Sequence, residues 1–448
     1  PETRIRNFDE VFLAWTPEMA VAEASRCLHC PDAPCVRACP LRLDIPLILW
    51  LTEHGDFRGA GDLLARANNL SEICARVCPH LELCEGGCPH VEDGGAPVAL
   101  GRIGAFLADK HREEHGWHAQ RARASGHRVA VVGAGPAGLT VAELLVERGH
   151  VVTVFEQWPD GGGTLRYGMP RFKLDHCLVR RHLTYLRELG AEFVFDTRVG
   201  DCHGVNDLFS LGFEAVFLGT GAGLPRRGEM PGEELRGVHD ASSFLVRANV
   251  EQNLRPSDLE DPPEVGRRVV VVGGGDQALD CCRTTLRLGG SDVRCVYRRT
   301  EEEMPAHARD RWLAREEGVR FEWLAVPKRI LGDEAGRVRA VECLRTRLGD
   351  PDSSGRRTPE PVPGSEFEIP AETVVLALGM SPDPGLVGKT PGLETADEGW
   401  VVVDPRNGRT TREMVWAGGS NVLGPSPVAA AVAQARTAAA DIHQKLSW

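Results

Sequence analysis

The sequence predicts an α/β protein, with a helical, cysteine-rich N-terminal domain ahead of two parallel-sheet domains. Three observations carry that expectation. Eight of the 14 cysteines fall between Cys27 and Cys88, in a stretch with helical patterning. From Arg128 onward, short β-branched runs each feed a glycine turn and then a helical pattern, the rhythm of a parallel sheet. The same unit restarts at Arg268, after a polar, proline-containing stretch from Glu251 to Gly266. A chain of 448 residues has room for about three such domains. Its 50 glycines exceed ordinary usage, as α/β folds with phosphate-binding turns require.

In the N-terminal block, Thr16-Pro17-Glu18 reads as an N-cap, a first-turn proline and a first-turn acid. Helical spacing recurs over Asp56–Ala67 and Val98–His111. The basic, polar run from Trp117 to His127 reads as a linker. The cysteines form two runs, Cys27-x2-Cys30-x4-Cys35-x3-Cys39-Pro40 and Cys74-x3-Cys78-x5-Cys84-x3-Cys88-Pro89. Terminal Cys-Pro runs of this kind occur in bacterial ferredoxins, where the last cysteine of a run ligates the other cluster. By that rule Cys27, Cys30, Cys35 and Cys88 hold one [4Fe–4S] cluster, and Cys39, Cys74, Cys78 and Cys84 a second. Spacing alone leaves two structural zinc sites open, but zinc sites are usually built from closely spaced cysteine pairs, and these runs are uneven. His29, His80 and His90 adjoin the cysteines and read as donors to cluster sulfurs or surface residues. His111, His115 and His118 read as a solvated helix end.

The stretch RVAVVGAGPAGLTVAELLVERGHVVTVFE is a strand, the turn Gly133-x-Gly135-x-x-Gly138, a helix, and a second strand ending in Glu156. The first glycine makes the turn, the second admits a pyrophosphate, and the third lets helix pack on strand. The terminal acid accepts from ribose hydroxyls, and the helix N-terminus favours the phosphates. In the second unit Gly273, Gly275, Asp276 and Ala278 occupy the turn, and its second strand ends in Arg298 and Arg299. Arginines at that position suit a 2′-phosphate, which favours NADP(H) over NAD(H). Cys281 and Cys282 read as packing residues, and the Pro-, Ser- and Arg-rich stretch Gly349–Gly364 as a surface loop. Two nucleotide turns with different sugar chemistry suggest a flavin on the first and a nicotinamide on the second.

Together the segments RCLHCPDAPC, NNLSEICARVCPHLELCEGGC, VAVVGAGPAGL, GGGTLRYGMPRFKL, VVVVGGGDQALDC, VYRRTEEEMPA and VWAGGSNVLGPSPVAAAVAQARTAA resemble one family. It is that of the small (beta) subunits of bacterial NADPH-dependent glutamate synthase. The resemblance covers essentially the whole chain and extends to related FAD/iron–sulfur NAD(P)H oxidoreductases. It implies a helical domain with two [4Fe–4S] clusters over residues 1–120. A Rossmann-like FAD domain over 121–235 and 371–448 would be interrupted by an NADP(H) domain over 236–370. It places Gly162, Thr164, Leu165 and Tyr167 around the flavin, with Thr220, Gly419 and Ser420 toward the rest of FAD. Three positions depart from the family: Ser420 stands where aspartate is usual, Ala435 where glycine is usual, and Gly104 where Glu or Gln is a proposed cluster ligand. Glycine offers no ligand, so Cys74 is expected as the fourth.

The resemblance implies an electron-input subunit without a catalytic base, paired with a larger glutamate-synthase-type catalytic subunit in a hetero-oligomer. Other readings are a related subunit serving a ferredoxin, pyrimidine or other acceptor, or a relay subunit with an inactive flavin site. A net charge of −12 argues against a nucleic-acid partner. No apolar run approaches the roughly 20 residues of a membrane span, and the polar N-terminus shows no secretory pattern, so the cytoplasm is the expected location.

Overall fold

The computed structural model describes residues 1–116, 121–201, 204–352 and 355–447; His118 and the Trp117–Gln120 part of the expected linker lie outside them. Contacts divide the chain into two compact units. One comprises Phe12–Arg166, Lys173–Gly223 and Ser381–Trp448, and the other Pro1–Val11, Tyr167–Phe172 and Leu224–Met380.

The first unit begins with short helices whose starts are set by their caps. Thr16 accepts from the Met19 N–H ahead of Pro17–Ala24, Asp44 from Leu47 ahead of Ile45–Glu53, and Asp56 from Gly59 ahead of Phe57–Ala67. Pro34–Ala38, Ser71–Val77 and Leu100–His115 join them, the last running four residues beyond its expected end. Ala24, Ile48, Leu49, Ala60, Leu64, Ile103 and Leu107 form their shared core. The chain then enters a five-stranded parallel sheet ordered Val415–Ala417, Ala215–Leu218, Arg128–Val132, Val151–Phe155 and Glu192–Val194. Near-continuous apolar strands reflect burial on both faces. The first strand thus pairs with segments far apart in sequence, and the helices Pro136–Glu147 and Val428–Leu446 pack on each other.

A histidine pair ties this sheet to the C-terminal helix. His150 is fully buried; its Nδ1 meets Ser125 Oγ at 2.8 Å and its Nε2 meets His443 Nδ1 at 2.9 Å. Burial, then the neighbouring His443, His127 and Arg148, lowers the His150 pKa from 6.5 to about 4. The unfolded chain therefore binds the extra proton more readily between those values. Stability is full above about pH 6.5 and declines as pH falls toward 4. Thermal midpoints measured from pH 7 to pH 5 should fall, with a shallower slope in His150→Gln.

The second unit has its own five-stranded parallel sheet, ordered Val238–Asp240, Thr373–Leu376, Arg268–Val272, Asp292–Tyr297 and Arg320–Trp323. A domain boundary at 370 would give Thr373–Leu376 to the other domain, yet this strand pairs in register with Val269–Val272. The chain exchanges units at Leu224 and Met380 instead. A four-stranded antiparallel sheet adjoins the parallel one in sequence, in which Ala325–Gly332, Arg357–Pro361 and Phe367–Pro370 each pair with the long strand Val338–Pro351. It corrects the expected loop at Gly349–Gly364. Thr346–Leu348 pair with Pro359–Pro361, which carries the strand into that stretch despite its proline content.

Candidate functional site

The eight clustered cysteines separate into two neighbourhoods. Cys39, Cys74, Cys78 and Cys84 line one cavity of about 90 Å³, walled by Leu43, Ile48, Leu64 and Ile103. In the other, Cys27 lies within electrostatic reach of Cys30 and Cys88, and Cys35 within reach of Cys27 and Cys88. Cys84 correspondingly senses Cys39 and Cys78. Cys39 thus lies with the thiols of the second run, and Cys88 near Cys27 and Cys35 of the first. Burial raises the Cys27 thiol, lifts Cys35 to about 11 and drives Cys84 higher still. Four soft thiol donors drawn from both cysteine runs converge on one apolar-walled space, a donor set that fits iron–sulfur ligation.

Gly104 also lines the four-thiol cavity and offers no donor. Cys74 is 5% exposed and holds its Sγ 3.8 Å from Asn68 Oδ1. Two cavity residues escaped sequence reasoning. Asn68 and Ala429 come from segments more than 300 residues apart, and no local pattern signals that juxtaposition. His80 is in the wall as well; a Cβ at Gly101 would sit 2.6 Å from its ring, so that glycine makes room for the imidazole.

In the first glycine turn, a Cβ at Gly138 would lie 1.9 Å from the Gly133 carbonyl, so only glycine allows the helix so close. Gly135 has ordinary backbone angles, and a Cβ there would meet nothing nearer than Gly163 Cα at 4.0 Å. The space is open for a ligand. Glu156, at the end of the second strand, is 6% exposed; its carboxylate accepts from Ala134 N at 2.7 Å and Trp158 N at 3.1 Å. Burial pushes its pKa up, and these backbone donors oppose the shift. The loop after it folds back: Gly162 N–H donates to the Ala134 carbonyl at 2.8 Å, then Thr164 opens the short helix Thr164–Tyr167, with Leu165 buried. Tyr167 belongs to the other unit, where its hydroxyl donates to the Leu254 carbonyl at 3.0 Å.

Across the same sheet, Thr220 is exposed at the end of the fourth chain-order strand. Gly419 N–H donates to Gln434 Oε1 at 2.8 Å, and Ser420 begins the helix Ser420–Leu423. Thr220 and Asn421 line a small cavity of about 20 Å³, and the buried Asn421 Oδ1 has no hydrogen-bond partner. A buried acceptor left alone is costly, and a space of this size admits a water-sized donor. Neither Gln434 nor Asn421 stood out in sequence, because each acts through a tertiary contact.

The second turn repeats the plan. Gly275 caps the helix Asp276–Arg287, and a Cβ there would meet nothing within 4 Å. Ala278 is fully buried against the sheet. Asp276 accepts from the His307 N–H at 2.9 Å and faces His307 Nε2 at 3.0 Å. The two arginines diverge. Arg299 is 3% exposed, with Nε donating to the Arg357 carbonyl at 2.6 Å and Nη2 to Asp352 Oδ2 at 3.3 Å. Arg298 is exposed. The structure thus corrects the expectation of two phosphate-facing arginines: Arg299 braces the strand Arg357–Pro361, and Arg298 is the exposed one.

Two open nucleotide turns on parallel sheets and two clusters of thiols define a flavin-dependent NAD(P)H oxidoreductase with iron–sulfur ligation. Known proteins agree with that class. Residues 4–116 match the family described as dihydropyrimidine dehydrogenase domain II, 4Fe-4S cluster, and residues 127–435 match pyridine nucleotide-disulphide oxidoreductases. The glutamate synthase [NADPH] small chain of Halomonas elongata is 40% identical over 444 residues, covering 97% of this chain and 93% of that one. Its Escherichia coli K12 counterpart is 38% identical over 450 residues, covering 99% and 94%. FprA from Mycobacterium tuberculosis shares the fold, at TM-score 0.60 and 22% identity over 72% of this chain and 85% of that one. The chain belongs to the family of glutamate synthase small chains and related FAD/iron–sulfur NAD(P)H oxidoreductases. Among the described residues, no helix is long and apolar enough to cross a membrane.

Proposed function

We propose that this chain is the electron-input subunit of a glutamate synthase. It would oxidise NADPH and pass the electrons singly to a larger subunit that forms glutamate from glutamine and 2-oxoglutarate. The observation that carries the reading is the four-thiol cavity of Cys39, Cys74, Cys78 and Cys84, in the same unit as the Gly133–Gly138 turn. FAD, when bound, supplies the conversion from two-electron to one-electron transfer, and the clusters supply the one-electron relay. The chain's own residues bind and orient. Gly133, Gly135 and Gly138 receive the FAD pyrophosphate, Glu156 takes the ribose, and Gly162, Thr164 and Leu165 border the flavin. Thr220, Gly419 and Ser420 complete that site. Gly273, Gly275, Asp276 and Ala278 receive the NADPH pyrophosphate at a helix N-terminus, where free N–H groups favour anions. Two sets of four thiolates, Cys27/Cys30/Cys35/Cys88 and Cys39/Cys74/Cys78/Cys84, hold two clusters. Apolar side chains, among them Leu43, Ile48, Leu64 and Ile103, line the second set.

Arg298 is the residue proposed to select NADPH. Arg298→Glu should raise the KM for NADPH by about 10- to 100-fold, the worth of a charge-assisted phosphate contact. The KM for NADH should change little. Equal effects on both nucleotides would remove Arg298 from the selection.

Native isolation under anaerobic conditions tests the partner. The expected result is a larger subunit co-purifying with glutamine- and 2-oxoglutarate-dependent NADPH oxidation. A partner that draws the electrons to a ferredoxin, a pyrimidine or another acceptor would replace the glutamate synthase assignment and leave the input role in place.

A further inference from the structure

The segment Tyr167–Phe172 interrupts the first unit. Residues on both sides, up to Arg166 and from Lys173, pack with the flavin-type sheet, while the segment itself packs with the nicotinamide-type unit. Its anchor is Phe172, which is fully buried. The Arg287 guanidinium lies 3.9 Å from the centre of its ring and that of Arg283 4.6 Å. Both arginines project from the helix Asp276–Arg287, whose other end is the open Gly275 cap. A helix of this length spans about 17 Å and is stiff over that distance.

The clamp is over-determined. Arg283 donates Nε and Nη2 to the two Glu317 oxygens at 3.0 and 2.9 Å, and Arg287 donates Nη1 and Nη2 to the same carboxylate at 2.8 and 3.2 Å. Arg4 reaches Glu317 at 3.2 Å, and Asp310 accepts from Arg283 at 3.4 Å. Burial would raise the Glu317 carboxyl, but the two arginines bring it down to about 2, so the carboxylate stays ionised. The N-terminal segment closes the arrangement. Arg287 Nε donates to the Asn7 carbonyl at 3.0 Å, Phe8 faces Phe172 at 6.4 Å, and Val11 N–H donates to the Phe172 carbonyl at 2.9 Å. Cations held this way over an aromatic face, shielded from water, bind it more strongly than at a surface.

We infer that Phe172, held by Arg283 and Arg287, is a positioning residue through which nucleotide at the Gly275 end of the helix Asp276–Arg287 is felt in the Tyr167–Phe172 segment. The coupling rests on the assignment of Gly273–Ala278 as the NADPH turn. Binding at the cap restrains the helix, the helix restrains the two guanidinium groups, and these restrain Phe172 and the segment that ends on it. Arg4 and Asn7 make the first residues of the chain part of the clamp.

Hydrogen exchange of the holoprotein with and without NADP+ tests this, in the wild type, Phe172→Leu and Arg287→Lys. Leucine keeps the apolar volume and removes the ring; lysine keeps the charge and loses the fork. NADP+ is expected to protect the Gly273–Ala278 amides in all three proteins. In the wild type protection should extend to the amides of Tyr167–Phe172, and in both variants this distant effect should fall about tenfold, within the range of ordinary coupling between sites. A purely structural Phe172 would lower the thermal midpoint without changing that nucleotide-dependent difference. Protection of the turn with an undiminished effect at Tyr167–Phe172 in both variants would overturn the coupling alone. No protection at the turn would overturn the nucleotide assignment and the coupling with it.

Discussion

Cys84→Ala is expected to remove one cluster and stop electron delivery while leaving NADPH oxidation at the flavin intact. Cys84 shares a cavity with Cys39, Cys74 and Cys78, so the loss should be confined to that set. Iron should fall from about eight atoms per chain to about four. Reduction of the flavin by NADPH should stay within about twofold, and transfer to a partner or artificial one-electron acceptor should fall by far more than tenfold, because a missing relay cannot be bypassed by binding energy. Cys30→Ala should remove the other cluster alone. Cys74→Ala sharpens the ligand assignment, since Gly104 in the same cavity has no donor. It should lose the same four irons as Cys84→Ala. A Cys74→Ala protein that keeps all its iron would exclude that thiol as a ligand.

Gly135→Ala should fold normally and bind FAD about 10- to 100-fold more weakly. The backbone at Gly135 lies in a region open to alanine, and the nearest atom to a new Cβ is 4.0 Å away, so the folded chain bears no strain. The methyl group instead fills the space a pyrophosphate must enter. A loss of about 1–3 kcal/mol from such overlap corresponds to that change in affinity. Gly275→Ala provides the matched control: it is equally free of neighbours and should weaken NADPH binding while FAD is retained. Fluorescence titration of released FAD, read beside the thermal midpoint, separates the outcomes. A lower midpoint with normal FAD affinity would contradict the assignment of this turn.

The parts of the fold and site that were legible in sequence are those set by local physics. Gly138 announces itself through the turn motif, where a Cβ would lie 1.9 Å from the Gly133 carbonyl, and Thr16 because a helix start needs a side-chain acceptor. The cysteine runs carry their crossing pattern in the terminal Cys-Pro. What stayed hidden depends on long-range packing. Arg299 looks identical to Arg298 in sequence, and only its bonds to Asp352 and the Arg357 carbonyl make it a brace. The Gly349–Gly364 stretch has loop composition, yet pairing with the preceding strand extends it into a hairpin. Asn68 and Ala429 meet at the four-thiol cavity, and Phe172 meets two arginines over 100 residues away, with no periodicity to reveal either contact.

The central claim is that one chain joins an NADPH-reducible flavin to two iron–sulfur clusters. Stepwise anaerobic NADPH titration of the purified protein, with visible absorbance and low-temperature electron paramagnetic resonance on the same samples, tests it most directly. The expected result is bleaching of the flavin bands, with reduced [4Fe–4S] signals at up to two per chain when a stronger reductant follows, and about eight irons by elemental analysis. A flavin that NADPH and NADH both leave oxidised, or zinc in place of iron in the cysteine domain, would contradict it.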